Sequence, residues 1–189
     1  GSGKTWVAYL WAGLMDVNTE PIMPSRRVIF TAPIKALSNE RYLDLKSMGF
    51  DVGIETGDFK KNANAMVLCC TQEIYTLKYA SVPNQKVIID EFHFIFNDSE
   101  RARAYIDGLR STSFHSDVLV MSATFGNPEV VKKYLEKMGM REFVLYKTDS
   151  RATELVFRKK GLRFGQIHDA LVFVFSKKGG EWIASQIAA

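Results

Sequence analysis

Cysteine is scarce in this sequence: of 189 residues only Cys69 and Cys70 are cysteine, and they are neighbours in an apolar run. That arrangement excludes a disulfide framework and lacks the pair spacing of a zinc site. The expectation is a reduced, buried pair on a strand of a cytoplasmic protein. Long apolar runs are also missing, since "VAYLWAGLM" is stopped by Asp16, so no membrane span is expected. No basic segment followed by an apolar core and cleavage site opens the chain, so no signal peptide is expected. Internal repeats and low-complexity tracts are absent. The net charge of +4 is compatible with a polyanionic partner without identifying one.

What is present is apolar substance, 47% of the chain, enough for a sizeable core. It falls into short β-branched or aromatic runs at 26–32, 65–71, 86–92, 117–123, 142–146 and 170–176. Nearly continuous apolar strands of this kind belong to a parallel sheet covered on both faces. The intervening stretches, 3–15, 35–48, 72–79, 99–111 and 127–138, read as helices. Asn127 and Thr71 are expected N-caps, with Pro128 at a first helical position and Glu73 in a first turn. The expected class is α/β, a doubly wound, mainly parallel sheet.

Three blocks carry chemistry. The chain opens on "GSGKT", the second half of a phosphate loop whose first glycine would fall upstream of Gly1. Gly1, Ser2 and Gly3 allow backbone close to phosphates, Lys4 can reach the β- and γ-phosphates, and the Thr5 hydroxyl can ligate Mg²⁺. The plainer alternative is a Gly-Ser-Gly linker ahead of an unrelated Lys-Thr, against which stands the apolar helix that follows. The second block is "VIIDEFH", 87–93, which puts Asp90 and Glu91 at the carboxyl end of a buried strand. Phosphoryl transfer to water needs one carboxylate to hold Mg²⁺ and another to orient the attacking water, roles that suit Asp90 and Glu91 in turn. The third is "VLVMSAT", 118–124, where Ser122, Ala123 and Thr124 are either close packing or a switch bonded into the acidic motif.

Taken in order, these blocks resemble the first RecA-like domain of a superfamily 2 DExH-box helicase of the Ski-like branch, the box reading Asp90-Glu91-Phe92-His93. "TAPIKALSNERY" (31–42) is similar to that branch's motif Ia, "TGD" (56–58) and "CTQEIY" (70–75) to its following nucleic-acid motifs, and "SATFGNPE" (122–129) to its motif III. "VFVFSKKGGEWIA" is similar to motif IV, which opens the second RecA-like domain. The resemblance implies ATP and Mg²⁺ as cofactors, with Gly1 to Thr5 on the triphosphate, Asp90 on the metal and Glu91 on the catalytic water. It implies that His93 and Ser122 to Thr124 couple hydrolysis to movement on a strand. It also implies that Pro33, Lys35, Ser38, Asn39 and Arg41 lie near a single nucleic-acid strand, and that Thr56, Gly57, Thr71 and Gln72 contact its phosphates. Thr71 as a helix cap, and Lys35 and Arg41 as a solvated helix face, remain the simpler alternatives.

The implied layout is a first RecA-like domain at 1–146 lacking its first strand, a connector at 147–169, and the first βα unit of a second domain at 170–189. The adenine-reading motif and the arginine-bearing motif of the second domain are not in this sequence. The chain on its own is therefore expected to turn over ATP barely or not at all. The function implied is ATP-dependent movement on a single strand, RNA favoured over DNA, by an intact parent that includes the second domain. Alternatives are a DNA repair helicase of the same branch and a catalytically inactive nucleic-acid-binding remnant. A nucleotide kinase or GTPase leaves motifs Ia and III unexplained, and no Asn-Lys-x-Asp string occurs.

Overall fold

The computed structural model describes residues 3–122, 127–139, 141–146 and 177–188. The chain divides into two compact units, Gly1–Arg151 and Ala152–Ala189. The first contains α1 (Lys4–Ala12), β1 (Arg27–Ala32), α2 (Lys35–Ser47), β2 (Val52–Glu55), β3 (Lys60–Lys61) and β4 (Val67–Thr71). These are followed by α3 (Gln72–Ile74), running into a wider π-type turn over Tyr75–Tyr79, then β5 (Gln85–Ile89) and a 3-10 turn over Phe92–Phe96. α4 (Ser99–Ser111), β6 (Asp117–Val120) and α5 (Pro128–Gly139) complete it. The second unit contributes α6 (Lys177–Ala188). No helix of the described residues is long and apolar enough to cross a membrane.

The six strands form one sheet in the order β3-β2-β4-β1-β5-β6, parallel throughout except for the short β2–β3 pair. Alternation along each strand splits the core into two layers. Val28, Phe30, Val67, Cys69 and Ile88 face one side, with Tyr9 of α1 and Tyr42 and Leu45 of α2. Ile29, Leu68, Cys70, Val87 and Ile89 face the other, with Tyr75, with Tyr105 and Leu109 of α4, and with Leu135 of α5. Burying both faces explains the unbroken apolar runs. Both cysteines are fully buried on β4, and burial pushes the Cys69 thiol up to about 12 and the Cys70 thiol well above its ordinary value.

Five expected helices and four expected strands lie where the pattern puts them, with adjusted ends. α1 stops at Ala12 because Gly13 takes a left-handed φ of 75°, letting its N–H and that of Leu14 bond back to Leu10 and Tyr9. Asn127 caps α5, its side chain accepting from Glu129 N–H at 3.2 Å. Thr71, by contrast, precedes α3 in extended conformation without a capping bond from its side chain.

The expected strand at 142–146 is not one: its backbone is irregular, and Val144 and Tyr146 are 83% and 93% exposed. A β-branched and aromatic pattern makes a strand only where a neighbour supplies the ladder. β2 and β3 escape sequence reading because one mixes Gly and Glu with two apolar residues and the other is only Lys60-Lys61. The expected strand at 170–176 lies outside the described residues. α1 buries Ala8, Tyr9 and Ala12, while its apolar Trp6, Val7 and Leu10 are exposed.

Candidate nucleotide site and nucleic-acid face

Two clefts open along the carboxyl edge of the sheet, where open α/β folds place ligands. The first, roughly 380 Å³, is lined by Thr5, Thr31, Ser38, Arg41, Asp90 and Glu91 among others. Gly3 caps α1 with φ 77°, a conformation that favours glycine, and the chain turns directly into Lys4 and Thr5. Thr5 shares the cleft with both acidic residues; Lys4, half-buried one position earlier, does not line it. Gly1, Ser2, Ala123 and Thr124 lie outside the described residues.

Asp90 directly follows β5, with its N–H donating to Thr31 O and its Oδ1 accepting from Glu91 N–H at 2.8 Å. Glu91 has φ 53° and ψ 39°, a left-handed conformation unusual for a side-chain-bearing residue. The turn is pinned from below. Phe92 is fully buried edge-on to Tyr105, and the Tyr105 hydroxyl donates to Asp90 O at 3.1 Å. Burial first, and then the nearby Asp90 charge, push the Tyr105 hydroxyl pKa up, so this donor keeps its proton.

His93 connects two motifs: its Nε2 is 3.0 Å from Glu91 Oε2 and its Nδ1 3.1 Å from Ser122 Oγ. The acidic box on β5 and the hydroxyl segment after β6 are thus joined through one imidazole.

Thr31 and Ser38 present buried hydroxyls with no bonding partner among the described residues, and both line the cleft. Unpaired buried hydroxyls are costly, and a polar ligand would satisfy them. No group of three or more His, Cys, Asp or Glu among the described residues could hold a metal ion. Mg²⁺ with a nucleotide requires only one or two carboxylates beside phosphate oxygens and water, so Thr5 and Asp90 fit that ion.

The second cleft, roughly 550 Å³, is lined by Pro33, Lys35, Gly57, Thr71, Glu73 and Arg101, together with apolar residues at the start of α2 and in α3. It unites four of the nine residues expected at nucleic acid. The others go elsewhere. Ser38 and Arg41 lie one to two turns further along α2 and face Asp90 instead. Gln72 is fully buried, its Nε2 donating to Thr76 Oγ1 at 3.4 Å under Gly108, so its side chain supports packing against α4. Thr56 is nearly buried and tied into its own turn, its hydroxyl donating to Asp58 Oδ1 at 3.2 Å. Asn39 is exposed and lines neither cleft.

Arg101 was not singled out from sequence, and Glu73 only as a first-turn residue of a helix. The available signal for Arg101 was "NDSER", an N-cap followed by a basic residue in the first turn of a helix starting at this edge. Asp98 does cap α4, accepting from the Glu100 and Arg101 N–H groups. Lys35, at the mouth of the cleft, pairs with Asp58 at 2.7 Å.

A parallel sheet with a phosphate-loop helix, an acidic turn and a bridging histidine at its carboxyl edge defines a P-loop NTPase domain of the RecA-like type. A family model described as DEAD/DEAH box helicase matches residues 1–133, and the chain belongs to that family. It is 34% identical over 160 residues to the DExH-box ATP-dependent RNA helicase DExH9 of Arabidopsis thaliana, covering 82% of this chain and 15% of that protein. It is 32% identical over 159 residues both to Superkiller complex protein 2 of Mus musculus and to the ATP-dependent RNA helicase mtr4 of Schizosaccharomyces pombe, covering 12% and 14% of their lengths. The chain thus spans less than a sixth of the length of these curated relatives. Among solved structures, S. cerevisiae Dbp5 bound to RNA and ADP BeF3 superposes with a TM-score of 0.55 at 18% identity, covering 78% of this chain and 39% of that one. That likeness concerns the fold.

Proposed function

We propose that this chain forms the first RecA-like domain of an ATP-driven RNA helicase, with 147–169 a connector and 170–189 the opening of a second such domain. The observation that carries the reading is the convergence of Thr5, Asp90 and Glu91 on one cleft, with His93 tying Glu91 to Ser122. ATP with Mg²⁺ supplies the phosphoryl group and the charge neutralisation its transfer needs. The remaining work belongs to the chain. Gly1 to Thr5 cradle the phosphates, Thr5 and Asp90 hold the metal, and Glu91 orients a water and takes its proton. His93, with Ser122, Ala123 and Thr124, relays the state of that site toward the second cleft. There Pro33, Lys35, Gly57 and Thr71, together with Arg101, grip the backbone of a single strand without reading bases.

RNA is favoured over DNA because the relatives matched over four-fifths of the chain are RNA helicases by name. Because the adenine-reading and arginine-bearing motifs are not in this sequence, the site is complete only in a longer parent. The reading is tested by ATP hydrolysis of the full-length parent against matched single-stranded RNA and DNA. Stimulation by RNA well above DNA is expected. Hydrolysis indifferent to either strand would reject the helicase assignment.

A further inference from the structure

Arg41 was expected at nucleic acid and stands instead against the metal-ligand candidate. Its Nη2 lies 3.4 Å from Asp90 Oδ2, and both side chains are 19% exposed. Its Nη1 donates to the Tyr9 hydroxyl at 2.9 Å and lies 3.8 Å from Asp44 Oδ2; Tyr9 in turn donates to Asp44. The guanidinium also stacks over the rings of Tyr9 and Phe30, 5.5 and 5.6 Å from their centroids. A planar cation stacked on two rings and bonded to a third group is held in one orientation. That orientation covers Asp90.

The consequence lies in the two carboxylate oxygens. Asp90 Oδ1 accepts the Glu91 N–H, so Oδ2 is the oxygen nearest a competing cation, and Arg41 stands at it. A divalent ion bound there meets a fixed positive charge within a few ångströms, in a cleft whose walls screen less than bulk water.

We propose that Arg41 is a resident counter-cation of Asp90 which the divalent ion must displace, so that it sets the Mg²⁺ concentration at which the site loads. The inference rests on the nucleotide-site reading above. It makes Arg41 a positioning residue, acting through Asp90. Tyr9 gives it leverage: the hydroxyl that anchors Arg41 belongs to α1, the helix that carries Thr5, so both metal-ligand candidates are tied to the same guanidinium.

The test is Mg²⁺ titration of the binding of a fluorescent, non-hydrolysable ATP analogue to the full-length protein, in the wild type and in R41Q, R41K, Y9F and D90N. R41Q is expected to lower the half-saturating Mg²⁺ about fivefold, the weight of one partly exposed ion pair. R41K should stay near the wild type, because the charge remains. D90N should abolish the Mg²⁺ dependence. If R41Q titrates like the wild type while D90N loses the dependence, the inference is overturned and the nucleotide site stands. If R41K shifts as far as R41Q, shape and not charge is responsible, and the inference again fails. If D90N keeps the wild-type dependence, the site reading itself is wrong. Should R41Q fail to fold by circular dichroism, Y9F carries the test: it keeps the stacked ring but removes the hydroxyl that anchors Arg41 Nη1, and a half-saturating Mg²⁺ that does not fall overturns the proposal.

Discussion

His93 stands between Glu91 and the hydroxyl segment after β6, with Nε2 3.0 Å from the Glu91 carboxylate. Because its other nitrogen is engaged by Ser122, 3.1 Å away, the imidazole cannot turn toward one partner without altering its contact to the other. In the full-length parent, Glu91→Gln should lower ATP turnover at least a hundredfold, the scale of losing a general base, while nucleotide affinity changes little. His93→Ala should leave ATP hydrolysis measurable but weaken its stimulation by RNA. Single-turnover hydrolysis and equilibrium nucleotide binding measure these separately, and unchanged turnover in Glu91→Gln would remove that residue from the mechanism.

Lys4 stands at the first position of α1 without lining the cleft of Asp90. Lys4→Ala in the parent should weaken nucleotide binding itself, not only turnover, which isothermal titration with an ATP analogue will show. The 189-residue chain alone should hydrolyse ATP barely or not at all, since an arginine finger from a second domain is typically worth about 10³ to 10⁵ in rate. Robust RNA-stimulated hydrolysis by the isolated chain contradicts this.

Arg101 and Lys35 both line the second cleft. Their replacement by Ala should weaken RNA binding uniformly across sequences and reduce the slope of log affinity against log salt by somewhat under one unit each, about 0.7 per phosphate contact on a single strand. Fluorescence anisotropy at several salt concentrations checks this. Gln72→Ala should instead lower stability and leave the salt slope unchanged, because that side chain is buried against α4.

Glu55 is 2% exposed and accepts hydrogen bonds from Lys78 and Tyr79. Burial works against its charge, but those two bonds outweigh it and hold the carboxyl below its ordinary 4.5. A depressed folded-state pKa stabilises above the unfolded value and is lost as pH falls through the folded one. Glu55→Gln should therefore cost about 1–3 kcal/mol near neutral pH. The gap between variant and wild type should narrow as pH drops below 4.5. Urea melts at a series of pH values measure it, and a gap independent of pH defeats the assignment.

Gly108 of α4 faces Gln72 and Thr76, and a Cβ there would fall 2.6 Å from both side chains. Gly108→Ala should destabilise by about 1–3 kcal/mol despite the higher helix propensity of alanine. A melting temperature at or above the wild type's would show that the α3–α4 contact can yield.

The parallel core was legible because both its faces are buried, which writes β1, β4 and β5 around nearly continuous apolar runs. β2 was not, since Val52-Gly53-Ile54-Glu55 hides a buried acid that Lys78 and Tyr79, more than twenty residues on, make tolerable. Exposed Val144 and Tyr146 mimic a strand because composition records propensity and not the presence of a partner. In the site, Asp90 and Glu91 were legible from their place after a buried strand. Arg41 was not, because its partners Tyr9 and Asp90 lie 32 and 49 residues away, on α1 and just after β5, and only the folded chain brings the three together.

Glu91 holds its carboxylate up on a backbone that side-chain-bearing residues rarely adopt, at a cost of about 1–3 kcal/mol. Glycine would sit there in comfort, and Glu91→Gly should yield a sturdier protein that has lost its chemistry. Selection for thermal endurance and selection for turnover therefore pull this one position in opposite directions. A laboratory lineage evolved for heat alone should surrender it early.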